Sequence, residues 1–337
     1  MHSHQTFIQL HKQRSKHVPT TLYQYVKTWY ETYKKPKHAL TTIQVQSNYI
    51  NTHIKNSVLG KMTITNVRTE DIQKFINDLL ASGNKCKLKN NKNSGNGLAK
   101  STVKKIRGIL ISAMKQAVKD NIIVKNYADD TETINLDKQQ YSFFSKEAIK
   151  LFLSKTKKHR YSLAYRLLFY TGCRRSEILG LSWDNIDFEN KQLTIKQVLV
   201  IPENIPIIKK TPKTNSSYRT IPLHKDLLRD LKEYKKQHLS NNLYNLVFTD
   251  KSGNPYNPKN FSQNFKKQIK RLGLSSTLHV HSTRHTFATN LLQLKIPISD
   301  VQSLGGWSSS DVLLDIYAHA VKSTHRQAIN KLYETSK

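Results

Sequence analysis

The sequence predicts a mainly α-helical protein with a small antiparallel β-sheet, divided into two domains. Three observations lead to this fold class. The chain has 337 residues, which suits two independent apolar cores better than one. Apolar residues recur at intervals of three and four over most of its length, which is the spacing of amphipathic helices. Two short stretches in the second half are strand-like instead.

The first half contains only segments with helical spacing. The clearest of them carries apolar residues at Val103, Ile106, Leu110, Met114 and Ala117. The first begins after Thr20 or Thr21, either of which is a suitable N-cap. The Gly-, Asn- and Lys-rich stretch 83–97 has nothing to bury and is expected to be a loop. We therefore predict a helical domain over residues 19–128, preceded by a basic arm over residues 1–18.

The second half begins after a change in composition. The acidic, unpatterned stretch ADDTETINLDKQQ interrupts a basic chain and predicts a linker over residues 129–141. Beyond it, Ser145 caps a predicted helix that runs to Leu153, and a second predicted helix over 161–169 ends at Gly172. Helical spacing resumes over 224–238, 258–271, 283–294 and 297–304. Between these helices, the strand-like stretches 192–200 and 217–223 predict a hairpin or a small sheet. The second domain is predicted over residues 142–325, followed by a C-terminal tail over residues 326–337.

The chain is strongly basic. Lys and Arg total 55 against 23 Asp and Glu, which gives a formal net charge of +32. Such an excess of charge repels itself unless a polyanion binds, and the commonest polyanion is nucleic acid. A ribosomal or chromatin-like protein would also be basic, but would seldom carry 37% apolar residues in long periodic segments. The composition therefore favours a folded protein that binds nucleic acid.

The sequence also predicts where in the cell the protein is located. No apolar run approaches the roughly 18 residues needed to span a bilayer, and the start MHSHQTFIQLHKQ lacks the apolar region of a signal peptide. Cys86 and Cys173 are the only cysteines, too few for a disulfide framework or a Cys-based zinc site. We expect a cytoplasmic protein with no membrane partner.

Four short stretches of the second half carry the candidate functional residues. The stretches are TGCRRSEILGLSW, KKTPKTNSSYRTIPL, HVHSTRHTFATNLL and LGGWSSSDVLLDIYAHA. In the last of them, Trp307 and Tyr317 are predicted to stand on either side of a short helical stretch. The candidates in them are Arg174, Lys213, His281, Arg284, Trp307 and Tyr317. Each alone has an ordinary interpretation, such as a solvated residue at a helix start, a surface lysine, or one of 16 tyrosines. His279 and His281 also form a pair, but no third ligand stands at a recognisable spacing, so we predict no metal site.

Taken together, the four stretches resemble the tyrosine site-specific recombinases, the family of phage and conjugative-transposon integrases. The resemblance lies in an ordered series: TG-x-R, a lysine in a strand turn, H-x-x-R-H-T, G-G-W, and a tyrosine about ten residues later. It covers nearly the whole second domain and, more loosely, residues 20–128. It implies a C-shaped DNA clamp built from a helical core-binding domain and a catalytic domain, with the six candidates as the active site.

The chemistry of phosphoryl transfer agrees with these residue types. Negative charge grows on the phosphate oxygens in the transition state, and two guanidiniums can bind those oxygens bidentately. Tyr317 would attack the phosphorus, giving a 3′-phosphotyrosyl link and a free 5′-hydroxyl. Lys213 would protonate the leaving oxygen, and His281 would assist proton transfer or support the phosphate. Because a 5′-hydroxyl can reverse the attack on this link, we expect no metal or nucleotide cofactor.

Neighbouring residues receive supporting roles. Trp307 stands where the family more often has His, and its indole can donate a hydrogen bond to phosphate but cannot shuttle a proton. Glu177 is expected to orient an arginine, and His285 to pack behind the site. DNA contacts are expected from Arg175 and from three basic residues of the first domain, Lys104, Lys105 and Arg107.

The resemblance implies a recombinase that integrates or excises a mobile element. DNA-dimer resolution, type IB topoisomerase-like activity and a non-catalytic DNA-binding regulator are alternatives. The expected substrate is double-stranded DNA with core attachment sites. The chain is expected to be a monomer in solution and to form a homotetramer on DNA. An accessory directionality factor or a host bending protein is a further expected partner. In the family the tail commonly docks onto a neighbouring protomer. Many members begin with an arm-site-binding domain, which we expect to be reduced or missing here, or unnecessary.

Overall fold

The computed structural model describes residues 20–83, 96–136, 141–210, 218–238, 242, 244–320, 330 and 332–334. The chain forms two compact units, Met1–Lys138 and Gln139–Lys337. The predicted basic arm and most of the predicted loop 83–97 lie outside the described residues. No helix in the described ranges is both long enough and apolar enough to cross a membrane.

The described part of the first unit contains helices joined by turns and irregular segments, and no β-strand. Its α-helices are α1 (Leu22–Trp29), α2 (Leu40–Tyr49), α3 (Val58–Lys61), α4 (Thr69–Ser82) and α5 (Lys100–Lys119). Short helical turns of other pitch lie over Tyr30–Lys34, Lys35–Lys37, Ile50–Ile54 and Ile64–Asn66. α1 begins at a capping box, in which the Thr21 hydroxyl accepts from the Gln24 amide and the Gln24 side chain accepts from the Thr21 amide.

The core of the first unit forms around α5. The apolar face predicted from the 3–4 spacing is buried, and it packs with Leu22 and Val26 of α1. The core continues beyond residue 128, because Thr131 and Ile134 are buried on the same unit. The Arg107 guanidinium holds this segment, donating to Thr131 Oγ1 at 2.7 Å and to the Thr131 carbonyl at 2.8 Å. The first part of the acidic stretch therefore packs on the helical unit.

The second unit combines helices with two small sheets. Its helices are α6 (Lys146–Lys155), α7 (Ser162–Thr171), α8 (Arg175–Leu179), α9 (Lys225–Gln237), α10 (Pro258–Arg271), α11 (Val280–Gln293), α12 (Ile298–Gly305) and α13 (Asp311–Ala320). Its strands are β1 (Ile186–Asp187), β2 (Gln192–Ile195), β3 (Gln197–Val200), β4 (Ile207–Lys210) and β5 (Arg219–Pro222). Further short turns lie over Trp183–Asn185 and Pro202–Asn204.

The stretch 192–200, predicted from the sequence as one strand-like run, forms two strands. β2 lies between β1 and β5 in an antiparallel sheet, with Ile195 opposite Arg219, whereas β3 pairs with β4. β3 leaves the first sheet to pack on α8: the Gln197 side chain donates to the Gly180 carbonyl at 2.8 Å. Gly180 permits this approach, since a Cβ there would lie 2.5 Å from the Leu199 amide nitrogen.

α11 is the central helix of the second unit. It packs against α7, α12 and α13, and it buries polar residues as well as apolar ones. It begins at Val280, earlier than the predicted 283, because the Ser282 hydroxyl accepts from the His279 amide. Phe287 of α11 and Leu313 and Ile316 of α13 belong to one apolar cluster. This cluster fixes the elements that carry two of the four candidate stretches, the one on α11 and the one that runs from α12 into α13.

Candidate active site

The turn between α7 and α8 positions Arg174. Gly172 ends α7 in the left-handed conformation, with φ of 62°, and a Cβ on it would overlap the ring of Phe287. Arg174 is then the N-cap of α8, with extended backbone, and 41% of its side chain is exposed. The apolar residues Ile178 and Leu179 bury the other side of α8. The turn thus points a guanidinium outward from a short helix that is anchored in the core.

Two groups hold the Arg174 side chain. Its Nη1 donates to Glu177 Oε1 at 2.8 Å, and its Nη2 donates to the Gly306 carbonyl at 2.9 Å. Glu177 Oε2 also accepts from the Arg174 backbone amide at 2.7 Å. The predicted orienting carboxylate therefore contacts both the backbone and the side chain of this arginine.

Glu177 is buried and binds a second arginine. Arg219 Nη2 donates to Glu177 Oε2 at 2.7 Å, and Arg219 Nη1 donates to Oε1 at 3.3 Å. Burial alone would raise the pKa of Glu177, but the hydrogen bonds and charges of Arg219 and Arg174 outweigh it and hold the pKa below its usual value. The carboxylate is therefore ionised at neutral pH.

Arg284 of α11 is only 1% exposed. Its Nη1 donates to the carbonyls of Gly172 and Gly305, and its guanidinium carbon lies 3.7 Å from the ring centroid of Trp307. Its Nη2 is buried and has no hydrogen-bond partner in the described part of the protein. Burial lowers the pKa of Arg284 to about 9, which leaves the guanidinium charged at neutral pH.

The end of α12 supports three arginines with consecutive carbonyls. Those of Leu304, Gly305 and Gly306 accept in turn from Arg219 Nε, Arg284 Nη1 and Arg174 Nη2. The last carbonyls of a helix have no partner within the helix and carry the negative end of its dipole, so cations are stabilised there.

Both glycines of the G-G-W motif are required by this geometry. A Cβ on Gly305 would overlap the Trp307 ring. Gly306 is the C-cap of α12 and has a left-handed backbone, with φ of 71°. The motif therefore packs the indole against the turn while leaving its carbonyls open to the arginines.

His281 and His285 lie one turn apart on α11. Their rings meet edge to face with centroids 4.7 Å apart, and the buried His285 ring also meets Tyr141 at 5.0 Å. Although part of His281 reaches solvent, desolvation and the charges of neighbouring cations, first of all Arg284, lower its pKa to about 4. Desolvation likewise lowers the pKa of His285 to about 4. Both rings are neutral at pH 7.

The structure brings together six of the predicted site residues: Arg174, Glu177, His281, Arg284, His285 and Trp307. Lys213 lies outside the described residues. Tyr317 lies within α13, whereas the sequence analysis placed Trp307 and Tyr317 on either side of a helical stretch. Among the described residues, no three His, Cys, Asp or Glu side chains cluster in a way that could hold a metal ion.

The predicted DNA-contact residues have different surroundings. Lys104 and Lys105 are exposed on α5. Arg107 donates to Thr131, as described above. Arg175 donates to the Pro258 carbonyl at 3.2 Å and to Ser262 Oγ at 2.5 Å, so it ties α8 to the start of α10.

Arg219 was not singled out from the sequence. It shares the inward face of β5 with Ile221, and its Nη2 also lies 3.5 Å from Cys173 Sγ. Alternation along R-T-I-P-L places Arg219 and Ile221 on one face of a strand. A cation on an apolar face needs a buried partner, and this is the signal that could have identified it.

Comparison with known proteins adds to this description. The model of the Phage integrase family matches residues 135–324, and that of the phage integrase N-terminal SAM-like domain matches residues 21–80. The chain is 29% identical to a protein named tyrosine recombinase XerC-like from Caldanaerobacter subterraneus subsp. tengcongensis, over 93% of this chain and 82% of the relative. It is 24% identical to the ICEBs1 integrase of Bacillus subtilis, over 95% of this chain and 84% of the relative.

Among solved structures, the Tn1549 transposon integrase in complex with a circular intermediate DNA has the same fold. The TM-score is 0.76 at 22% identity, covering 93% of this chain and 99% of that one. This likeness extends over both units. Since the family model matches more than half of its length, the chain belongs to the phage integrase family of tyrosine recombinases.

Proposed function

We propose that this tyrosine recombinase cleaves and rejoins DNA strands at specific sites to integrate or excise a mobile element, with Tyr317 as its nucleophile. The ICEBs1 and Tn1549 integrases, to which the chain is similar, belong by name to mobile elements. We propose that double-stranded chromosomal DNA is the substrate, which places the activity in the cytoplasm.

The pair of arginines at the end of α12 carries the proposal. Arg284 has a buried Nη2 with no hydrogen-bond partner in the described part of the chain. Its Nη1 donates to the Gly305 carbonyl, and Arg174 donates to the next carbonyl, that of Gly306. A buried donor left unsatisfied costs about 1 to 3 kcal/mol, and more when it is charged. A phosphate oxygen bound here would satisfy that donor and would receive positive charge from both guanidiniums.

In the proposed reaction the Tyr317 phenolic oxygen attacks the scissile phosphorus. The new bond joins this oxygen to phosphorus while the phenolic proton passes to water, the bond from phosphorus to the 5′-oxygen breaks, and Lys213 gives that oxygen a proton. A 5′-hydroxyl of another strand then attacks the phosphotyrosine and releases the phenol. His281, neutral at pH 7, donates a hydrogen bond to the phosphate, and Trp307 positions Arg284 by stacking against it. No metal or nucleotide takes part in this sequence of steps.

Binding of DNA is proposed to involve both units. We assign contacts to Lys104 and Lys105, which are exposed on α5, and to basic residues of the second unit. Recombination exchanges strands between two duplexes, so we propose that four copies assemble on DNA from monomers. Direction would then depend on an accessory directionality factor or a host bending protein.

The nucleophile is tested with a nicked suicide DNA substrate, which traps the protein–DNA adduct. Wild-type protein is expected to form the adduct equally well with and without EDTA, and Tyr317→Phe is expected to form none. Tyr170→Phe is the matched control, because Tyr170 lies in the same unit with 52% of its surface exposed. Adduct formation by Tyr317→Phe at the wild-type level would reject the assignment.

Dimer resolution is the second candidate function, favoured by the name of the XerC-like relative. The two functions differ in the DNA on which strand exchange occurs. An integrase is expected to recombine sites cloned from the ends of its own element with a chromosomal target. A resolution enzyme is expected to recombine two copies of one chromosomal site and to ignore the ends of the element.

A further inference from the structure

We propose that Arg219 is a positioning residue of the active site, which orients Arg174 and Arg284 without contacting the phosphate itself. The inference rests on the recombinase function proposed above, and it adds a residue to that site. Arg219 is not one of the motif residues on which the resemblance in the sequence analysis was based.

The Arg219 side chain contacts both structures that support the two phosphate-binding arginines. Its Nη2 and Nη1 donate to the Glu177 carboxylate at 2.7 and 3.3 Å, and its Nε donates to the Leu304 carbonyl at 2.8 Å. Glu177 in turn holds the backbone and side chain of Arg174. A single planar guanidinium thus joins the carboxylate of α8 to the end of α12.

The contact with Leu304 fixes the register of the α12 turn. The carbonyls of Gly305 and Gly306, which follow directly, accept from Arg284 and Arg174. Moving the Leu304 carbonyl would move the other two acceptors, because consecutive peptide planes are linked by only two soft dihedral angles per residue. Arg219 therefore sets the spacing between the two guanidiniums that bind phosphate.

Burial separates Arg219 from the substrate. The residue is 6% exposed, lies on the inward face of β5, and its Nη2 also approaches Cys173 Sγ at 3.5 Å. The Arg219 guanidinium donates its hydrogen bonds to groups inside the protein. In contrast, 41% of the Arg174 side chain is exposed and can reach a bound phosphate. The assigned role is therefore positioning.

Loss of Arg219 should make the site sensitive to acid. The charged or titratable groups around Glu177 are Arg219, Arg174, Arg284 and Cys173. Burial raises the pKa of Glu177, and Arg219 contributes most to lowering it. Without Arg219 the carboxyl would bind a proton at a higher pH than in the wild type. A protonated Glu177 would no longer hold Arg174 as an ion pair, so cleavage should slow as the pH falls.

The experiment compares Arg219→Gln, Arg219→Lys and wild type in single-turnover cleavage of the suicide substrate at saturating protein, from about pH 5.5 to 8.5. Arg219→Gln is expected to cleave about 10- to 100-fold more slowly, the usual loss for a group that orients others, with the Kd for DNA changed by less than about threefold. Its rate should also fall toward acid pH over a range where the wild-type rate is flat. Arg219→Lys keeps the charge but not the planar fork, so it should cleave slowly without gaining the acid dependence.

Ile221→Ala is the matched control, since Ile221 is the next inward residue of β5 and is also buried. It is expected to lower the thermal midpoint while leaving the cleavage rate and its pH profile as in the wild type. The proposal is overturned if folded Arg219→Gln cleaves like the wild type, or if its loss is independent of pH and equal to that of Ile221→Ala. If Arg219→Gln does not fold, the proposal is overturned by folded Arg219→Lys cleaving at the wild-type rate. Absence of any wild-type adduct would instead reject the recombinase assignment itself.

Discussion

The partners of each arginine decide how much positive charge the site offers to a phosphate. Arg284 is oriented by the carbonyls of Gly172 and Gly305 and by stacking on Trp307, none of which carries a formal charge. Arg174 shares the single carboxylate of Glu177 with Arg219. Three guanidiniums against one carboxylate leave a net positive charge at the end of α12, which favours a bound anion.

The buried His285 should make the free energy of unfolding depend on pH. Its pKa is lowered to about 4, mainly by desolvation, whereas a histidine in the unfolded chain titrates near about 6.5. The unfolded state therefore binds more protons between these values, and the free energy of unfolding should fall as the pH is lowered from about 6.5 to about 4. The contribution of His285 to this slope is at most about 1.4 kcal/mol per pH unit.

Urea denaturation across this pH range measures the slope. His285→Gln is expected to flatten it, and His238→Gln, at an exposed position after α9, is the matched substitution on the surface. Equal slopes for the wild type and His285→Gln would show that the ring is not kept neutral by its burial.

Some of these residues could be predicted from the sequence and others could not. The three-residue spacing of His281 and Arg284 fixes a common helical face, and Arg174 follows a glycine that ends a helix, so local pattern was sufficient. Arg219 was missed because its partners, Glu177 and Leu304, lie 42 and 85 residues away along the chain. No local pattern encodes such a pairing.

At the scale of elements, the end of α12 is the backbone platform on which the site is built. Gly305→Ala should destabilise the protein, because the new Cβ would overlap the Trp307 ring that stacks on Arg284. We expect a loss of about 1 to 3 kcal/mol in the free energy of unfolding from overpacking. Adduct formation should fall as well, since Trp307 and the Gly305 carbonyl would both be displaced.

The control for this prediction is Gly108→Ala on α5, where a Cβ would meet nothing within 4 Å. It should be neutral or stabilise the protein by about 0.5 to 1 kcal/mol, because alanine favours helix over glycine. Thermal unfolding and the suicide-substrate assay together test the pair. Wild-type cleavage by Gly305→Ala would mean that the turn tolerates a displaced indole.

Helices were easier to predict than strands for a physical reason. The bounds of α10 match the predicted 258–271, and the caps of α6 and α7 lie where Ser145 and Gly172 indicated. The run 192–200 is predicted as one strand-like stretch because strand-forming residues, Leu193 to Ile195 and Val198 to Val200, stand on both sides of Lys196 and Gln197. Its division into β2 and β3 depends on pairing with β5 and β4 and on the packing of β3 against α8, which are tertiary contacts.

At the scale of the whole molecule, the ordered motifs were enough to identify the family, while the charge indicated the partner. The net charge of +32 is what remains after 23 carboxylates are set against 55 Lys and Arg, so at least 32 of these cations have no carboxylate of the same chain to pair with one to one. Two exposed lysines of the first unit lie beside carboxylates: Lys74 pairs with Glu70, and Lys125 pairs with Asp130, each at 2.7 Å. Lysines that bind DNA should be found among the others.

The salt dependence of DNA binding tests this separation. The logarithm of the association constant should fall linearly with the logarithm of salt concentration, with a slope of about −0.9 for each phosphate neutralised. Lys104→Ala/Lys105→Ala should make the slope less steep by about 2, because each lysine is proposed to displace one counterion. Lys74→Ala/Lys125→Ala removes the same charge from the same unit but should leave the slope close to the wild-type value, since those lysines pair with carboxylates. Fluorescence anisotropy with labelled duplex at several salt concentrations gives the slopes. If both double variants change the slope equally, binding depends on net charge alone and α5 is not a DNA-contacting surface.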